Sequence, residues 1–243
     1  MKLLCLDLST KTGWSLIDDG KLIKYGNVVH KIDGDEKDIY YPMNYISTAK
    51  MIAKDIVSII MENTPDIIII EETNKGKNRY SQKILEFIHY AVNTSFVHCP
   101  RKIIVKYLDT SEWRALLDLS LSKDQRGQNK EVYKQRNDVR KELETQFDNN
   151  NYQHLSLINS CIKKRKKNKE LKEYVKIRKD WVTEKLRPFR SKLDGKMIGK
   201  INMKTLSVNY VNNHFNMKFK KKDNDITDSI CLGLAFIKKV ANI

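Results

Sequence analysis

The sequence is poor in the features that mark a disulfide scaffold, a zinc site or a membrane protein. Its four cysteines, Cys5, Cys99, Cys161 and Cys231, lie far apart, with no Cys-x-x-Cys and no histidine pair near them. That argues against a disulfide framework and against structural zinc. The five histidines show no ligand spacing, so none is assigned to catalysis or metal. The longest apolar run, Ile230 to Ile237, is eight residues, too short for a membrane span. The N-terminus meets Asp7 after four apolar residues, which does not read as a signal peptide. These absences point to a soluble protein of a reducing compartment.

What the chain does have is charge, unevenly placed. Its 243 residues suit one large domain or a domain with an insertion, and a hydrophobic share of 40% is enough for a core. Lys and Arg number 46 against 30 Asp and Glu, a net charge of +16. Residues 160–222 hold 21 of those cations and 5 of the anions, so the remainder is neutral. A neutral body with a concentrated basic segment suggests a polyanionic partner, although a solvated, Lys-rich helical surface is the plain alternative. The Lys163–Lys169 run lacks the Trp, Phe or Leu of an amphipathic anchor, which puts nucleic acid ahead of a membrane.

Hydrophobic periodicity predicts strands at Leu3–Leu8, Gly13–Ile17 and Leu22–Val29, with Asp18-Asp19-Gly20 turning the last two into a hairpin. A helix over 43–62 carries the stripe Ile46, Ala49, Ala53, Ile56, Val57, Ile60, and Pro65 follows its end. Ile67–Ile70 reads as a strand buried on both faces, 74–79 as a basic loop, about 80–97 as a helix and Ile103–Leu108 as a fifth strand. Residues 129–147 and 168–187 read as long, thinly apolar helices separated by Asn149-Asn150-Asn151. A short helix near 204–215 precedes a helix from about 225 to 240 that is apolar nearly all round, hence buried. The order implies an α/β domain formed by 1–118 and 204–243, with 119–203 as a basic helical insertion.

Four acids stand where acids are costly. Asp7 lies within the first apolar strand, Glu71 ends the most apolar strand, and Asp225 and Asp228 open the buried helix at spacing i, i+3. Singly, each has a structural explanation; first-turn acids, for instance, complement a helix dipole. As a set, they suit hard divalent cations such as Mg²⁺ or Mn²⁺. Two such ions support in-line hydrolysis of a phosphodiester. Glu72 follows Glu71, and periodicity does not choose between them because the strand before them is apolar throughout.

The ordered motifs resemble the RuvC-type Holliday junction resolvases of the RNase H-like superfamily, in a bacteriophage-type form. Leu6-Asp7-Leu8-Ser9-Thr10-Lys11-Thr12-Gly13-Trp14 looks like the first-strand motif, and Pro65-Asp66 through Glu71 is similar to the central strand. Asp225-Ile226-Thr227-Asp228-Ser229 looks like the terminal helix, and Thr110-Ser111-Glu112-Trp113-Arg114 like a segment after the fifth strand. The likeness covers roughly 1–118 and 204–240.

The resemblance implies an RNase H-like mixed five-stranded sheet flanked by helices. It implies a homodimer, formed through the helix after the 74–79 loop, that nicks two strands of a four-way junction symmetrically. It also implies Asp7, Glu71, Asp225 and Asp228 as catalytic ligands of two Mg²⁺ or Mn²⁺ ions. Lys75, Lys77, Asn78 and Arg79 follow the central strand within a turn or two, close enough to grip phosphates beside the site, with a solvated loop as the plain alternative. Lys204 and the run Lys218, Lys220, Lys221, Lys222 precede the Asp-x-x-Asp helix and suit phosphate contact too. Asn74 stands where some bacterial members carry an aromatic wedge, which shifts base unstacking to Tyr80 or elsewhere. The basic insertion has no counterpart in compact members. Branched DNA is the expected partner, with no membrane and no small-molecule substrate, in the cytoplasm of a bacterial host if the gene is a phage's. Flaps, forks and RNA–DNA hybrids remain alternative substrates, and a non-catalytic branched-DNA-binding protein remains an alternative class. An actin-like ATPase shares the first-strand pattern but needs a duplicated domain, and no second copy is present.

Overall fold

The computed structural model describes residues 1–30, 41–72, 79–99, 103–151, 169–189 and 199–241. Lys75, Lys77, Asn78 and most of the Lys163–Lys169 run lie outside them, as do the side chains of Arg79 and Tyr80.

Five strands make one mixed sheet in the order β3-β2-β1-β4-β5. They are β1 (Lys2–Asp7), β2 (Lys11–Asp18), β3 (Lys21–Val29), β4 (Ile67–Glu71) and β5 (Ile104–Leu108). The first three form an antiparallel meander, and β4 and β5 add in parallel on the other side of β1. The β2–β3 turn needs two consecutive left-handed residues, and Asp19 (φ 46°) and Gly20 (φ 78°) supply them. With seven α-helices among the described residues, the fold is of the α/β class, built on a mixed five-stranded sheet as expected.

Alternation along the two central strands divides the core. Leu3, Cys5 and Ile69 face one side, where they pack with Ile230, Cys231 and Ala235 of α7 (Asn224–Ala241). Leu4, Leu6, Ile68 and Ile70 face the other, against Ile52 and Ile56 of α1 (Met43–Asn63) and Ile88 and Val92 of α2 (Arg79–Ser95). All of these side chains are fully buried. At about 1.5–3 kcal/mol for each buried Leu or Ile, they anchor the sheet firmly against any cost imposed at its ends.

Two helices depart from the sequence reading. Thr110–Leu116 forms α3, capped by the Asp109 carboxylate, which accepts from the Ser111 N–H at 2.7 Å. It is too short for periodicity to reveal. The long helix expected at 129–147 is α4, Lys123–Asn150, and it starts earlier because Ser122 and Gln125 form a reciprocal capping box. Then follow α5 (Lys169–Lys185) and α6 (Met203–Phe215).

The chain divides into two compact units, Met1–Ser120 with Asn202–Ile243, and Leu121–Ile201. The second unit holds α4 and α5, joined through Phe147, Val182 and Leu186. The Phe147 ring lies 5.5 Å from both Tyr174 and Trp181. Asn129 bonds both backbone groups of Ile201, at 3.0 and 2.8 Å, so the returning chain lies beside the start of α4. No described helix is long and apolar enough to cross a membrane, and Cys5, Cys99 and Cys231 are free thiols.

Candidate active site

The parallel register Leu6↔Ile70 places Asp7 and Glu71 one step further on, at the carboxyl ends of adjacent strands. Side chains alternate, so Asp7 follows Leu3 and Cys5, and Glu71 follows Ile69, onto the face that α7 covers. Glu72 faces away and is exposed.

The first turn of α7 is brought to the same place by a missing side chain. Gly13 pairs with Asp7 across β1 and β2. A Cβ on Gly13 would sit 2.0 Å from the backbone oxygen of Asp225, so only glycine lets the helix start lie this close to the strand. Further along, Gly233 plays a similar part: a Cβ there would be 2.6 Å from Cys5 Sγ and Ile17 Cδ1.

Electrostatics shows that the four acids share one field. Burial, and then repulsion from Glu71, Asp228 and Asp225, hold the Asp7 carboxyl well above the ordinary carboxylate range, against the opposing charge of Lys204. Asp228 is pushed up to about 6, chiefly by burial and further by Glu71, while a Ser207 hydrogen bond, Arg114 and Lys204 oppose the rise.

Each acid but Asp7 has a named partner. The Thr110 hydroxyl donates to Glu71 Oε1. Lys11 Nζ lies 3.0 Å from Asp225 Oδ2 and donates to the Lys222 carbonyl at 2.6 Å. The buried Arg114 guanidinium lies 3.5 Å from Asp228 Oδ2, bonds the Met203 carbonyl at 3.3 Å and stacks 4.4 Å from the Trp113 ring. Asp228 Oδ1 is buried with no hydrogen-bond partner among the described residues.

These residues fit a divalent cation by donor type and by need. The set is all carboxylate oxygen, one oxygen is orphaned, and like charges crowd a buried place that a cation would relieve. As the side chains stand, no group of three or more His, Cys, Asp or Glu among the described residues is gathered tightly enough to hold an ion. Lys11 and Arg114 occupy two of the four carboxylates instead.

Of the expected nucleic-acid contacts, Lys204 lies in the first turn of α6, exposed, with its charge felt at Asp7 and Asp228. Lys218, Lys220 and Lys222 are exposed just before α7, and Lys221 is half-buried. Arg79 and Tyr80 open α2. Sequence reasoning gave no role to Lys11, Arg114, Thr110 or Ser207. Lys11, Thr110 and Arg114 lie inside the quoted motifs; Arg114, between Trp113 and Ala115, was a cation among apolar neighbours, whereas Lys11, between Thr10 and Thr12, carried no such signal.

No protein-family model matches this chain, and no curated protein matches it. Among solved structures it is similar to T. thermophilus RuvC in complex with a Holliday junction substrate, at 11% identity and a TM-score of 0.40, over 48% of this chain and 69% of that one. Thermus thermophilus RuvC alone gives 13% and 0.39 over 49% and 69%. The yeast mitochondrial Holliday junction resolvase Ydc2 gives 13% and 0.43 over 98% and 78%.

Proposed function

We propose that this protein is a metal-dependent endonuclease that resolves four-way DNA junctions, nicking two strands symmetrically as a homodimer. The observation that carries the reading is the convergence of Asp7, Glu71, Asp225 and Asp228 on one end of the sheet, with one buried carboxylate oxygen unpaired among the described residues. Those four would hold Mg²⁺ or Mn²⁺, two ions per site. Bound there, such ions activate a water and stabilise the leaving oxygen of a phosphodiester.

The remaining work falls to the chain's own groups. Thr110 and Arg114 hold Glu71 and Asp228 in orientation, and Lys11 offsets the charge of Asp225. Lys204, Lys218, Lys220, Lys221 and Lys222 offer ammonium groups to phosphates near acids that would otherwise repel them. Lys75, Lys77, Asn78 and Arg79 would grip further phosphates after β4, with Tyr80 stacking on a base. The dimer reading draws support from α2. Its Tyr90 is 71% exposed, and it borders an apolar groove of about 580 Å³ shared with α1.

An end-labelled four-way junction, incubated beside linear duplex, flap and RNA–DNA hybrid with Mg²⁺ or Mn²⁺, tests the proposal. Paired symmetric nicks in the junction are expected, reduced on the order of 10³-fold or more by Asp7→Asn. Junction binding in EDTA should survive that substitution. Cutting of flap or hybrid alone would move the substrate. Tight metal-independent binding with no cleavage at all would replace the enzyme with a branched-DNA-binding protein.

A further inference from the structure

Within the second unit, cations gather in one particular place. On α4, Arg136, Arg140, Glu144 and Asp148 recur every four residues and form one stripe. Together with Arg178 and Lys179 of α5, the first three line a cleft of about 350 Å³. Its lining includes the buried side chains of Val182 and Leu186, so the charged groups stand over an apolar floor. The lining carries four cations and one carboxylate, and Asp148 bonds Arg178 from beyond it.

The anions nearby are already committed to holding the cations in place. Asp148 accepts from Arg178 Nη2 and from the Tyr174 hydroxyl, both at 2.7 Å. Glu144 accepts from Arg140 Nε at 2.9 Å, and its other oxygen lies 3.7 Å from Arg178 Nη2. Arg178 is thus pinned by two acids, yet its Nε is buried with no acceptor among the described residues. A buried guanidinium N–H without an acceptor is costly, and an oxyanion is the group that best satisfies it. Because the guanidinium is fixed beforehand, little side-chain freedom remains to be lost on binding.

We propose that this cleft is an oxyanion site that seats a backbone phosphate of nucleic acid. At about 350 Å³ the cleft exceeds what a bare ion fills. The proposal rests on the nuclease reading for the source of the phosphate, while the geometry of the cleft does not depend on it.

The test uses the full chain in EDTA, where no cleavage is required. Affinity for a linear duplex is followed against salt for Arg136→Gln/Arg140→Gln/Lys179→Gln. A charge-matched control, Lys134→Gln/Lys141→Gln/Lys176→Gln, removes exposed lysines outside the cleft. The slope of log affinity against log salt should fall by about 0.9 for each phosphate that the cleft variant no longer neutralises, and by clearly less in the control. Equal slopes in the two variants would overturn the proposal in favour of diffuse charge. If the cleft variant loses helicity, Arg140→Gln alone, at a half-exposed position, should still lower the slope by about one, and an unchanged slope there overturns the site. In parallel, inorganic pyrophosphate is tested for its effect on Tm. Stabilisation that the cleft variant abolishes, with duplex affinity unchanged, would reassign the site to free phosphates and reject the nucleic-acid source. Absence of nuclease activity would sink the nuclease reading but leave this binding result standing.

Discussion

The sheet unit and the helical unit place charge by opposite means. In the sheet unit, four acids sit at or near the ends of elements whose apolar side chains are largely buried, and the backbone decides where each carboxylate goes. In the helical unit, α4 runs for 28 residues yet buries only Phe147, and charge covers nearly every other face. Crowding like charges requires packing strong enough to outweigh their repulsion. A cationic surface requires only that its side chains point outward, with a few guanidinia held still by acids.

The largest expected effect tests whether the units are energetically separate. Phe147→Ala should cost the helical unit on the order of 3–5 kcal/mol, since its ring joins Tyr174 to Trp181. Thermal melting followed by circular dichroism should then show an early helical transition, with the sheet unit melting where it did before. A single shifted transition would show one cooperative body and erase the comparison.

Next in size is a pH effect confined to the sheet unit. Folding raises the Asp228 carboxyl from its ordinary 3.8 to about 6, so the folded state binds an extra proton between those values. Stability in EDTA is therefore greatest below the ordinary value and is lost as pH rises through about 6, a change of roughly 3 kcal/mol. Asp7, raised mainly by burial and by the same neighbours, adds to the slope. Urea unfolding of wild type and Asp228→Asn across this range should show the variant with the flatter curve. A flat wild-type curve would mean that burial and the neighbouring acids do not raise this carboxyl in the folded state.

The smallest effect is the sharpest contrast, because one substitution should change sign between the units. Gly13→Ala drives a Cβ into the Asp225 carbonyl and should cost about 1–3 kcal/mol together with activity. Gly127→Ala, inside α4 with nothing within 4 Å, should stabilise by about 0.5–1 kcal/mol. Denaturation midpoints of the two variants decide it.

Much of the sheet unit was legible because its signals are local. Short apolar runs, the Asp19-Gly20 turn, the β-branched run of β4 and an acid inside an apolar strand all declare themselves within a few residues. The partners of the acids were not legible. Arg114 meets Asp228 across more than a hundred residues, and Lys11 meets Asp225 across about two hundred. No local pattern encodes such a choice of partner. Gly13 is visible in the motif, but its purpose depends on where the backbone of α7 comes to lie. The start of α4 was missed for a different reason: Ser122 and Gln125 spell a capping box, but the polar residues after it carry no hydrophobic period.

The acids that share one end of the sheet come from β1, β4 and α7, and the entire helical unit is encoded between Glu71 and Asp225. On the ribosome that order becomes a timetable. At about 5–20 residues per second, roughly 10–40 s pass between the synthesis of Asp7 and that of Asp225. The basic helices are finished within that interval. Under the proposed function, a nascent chain gains its grip on nucleic acid before it can cut, and its chemistry switches on only when α7 docks into the notch left by Gly13.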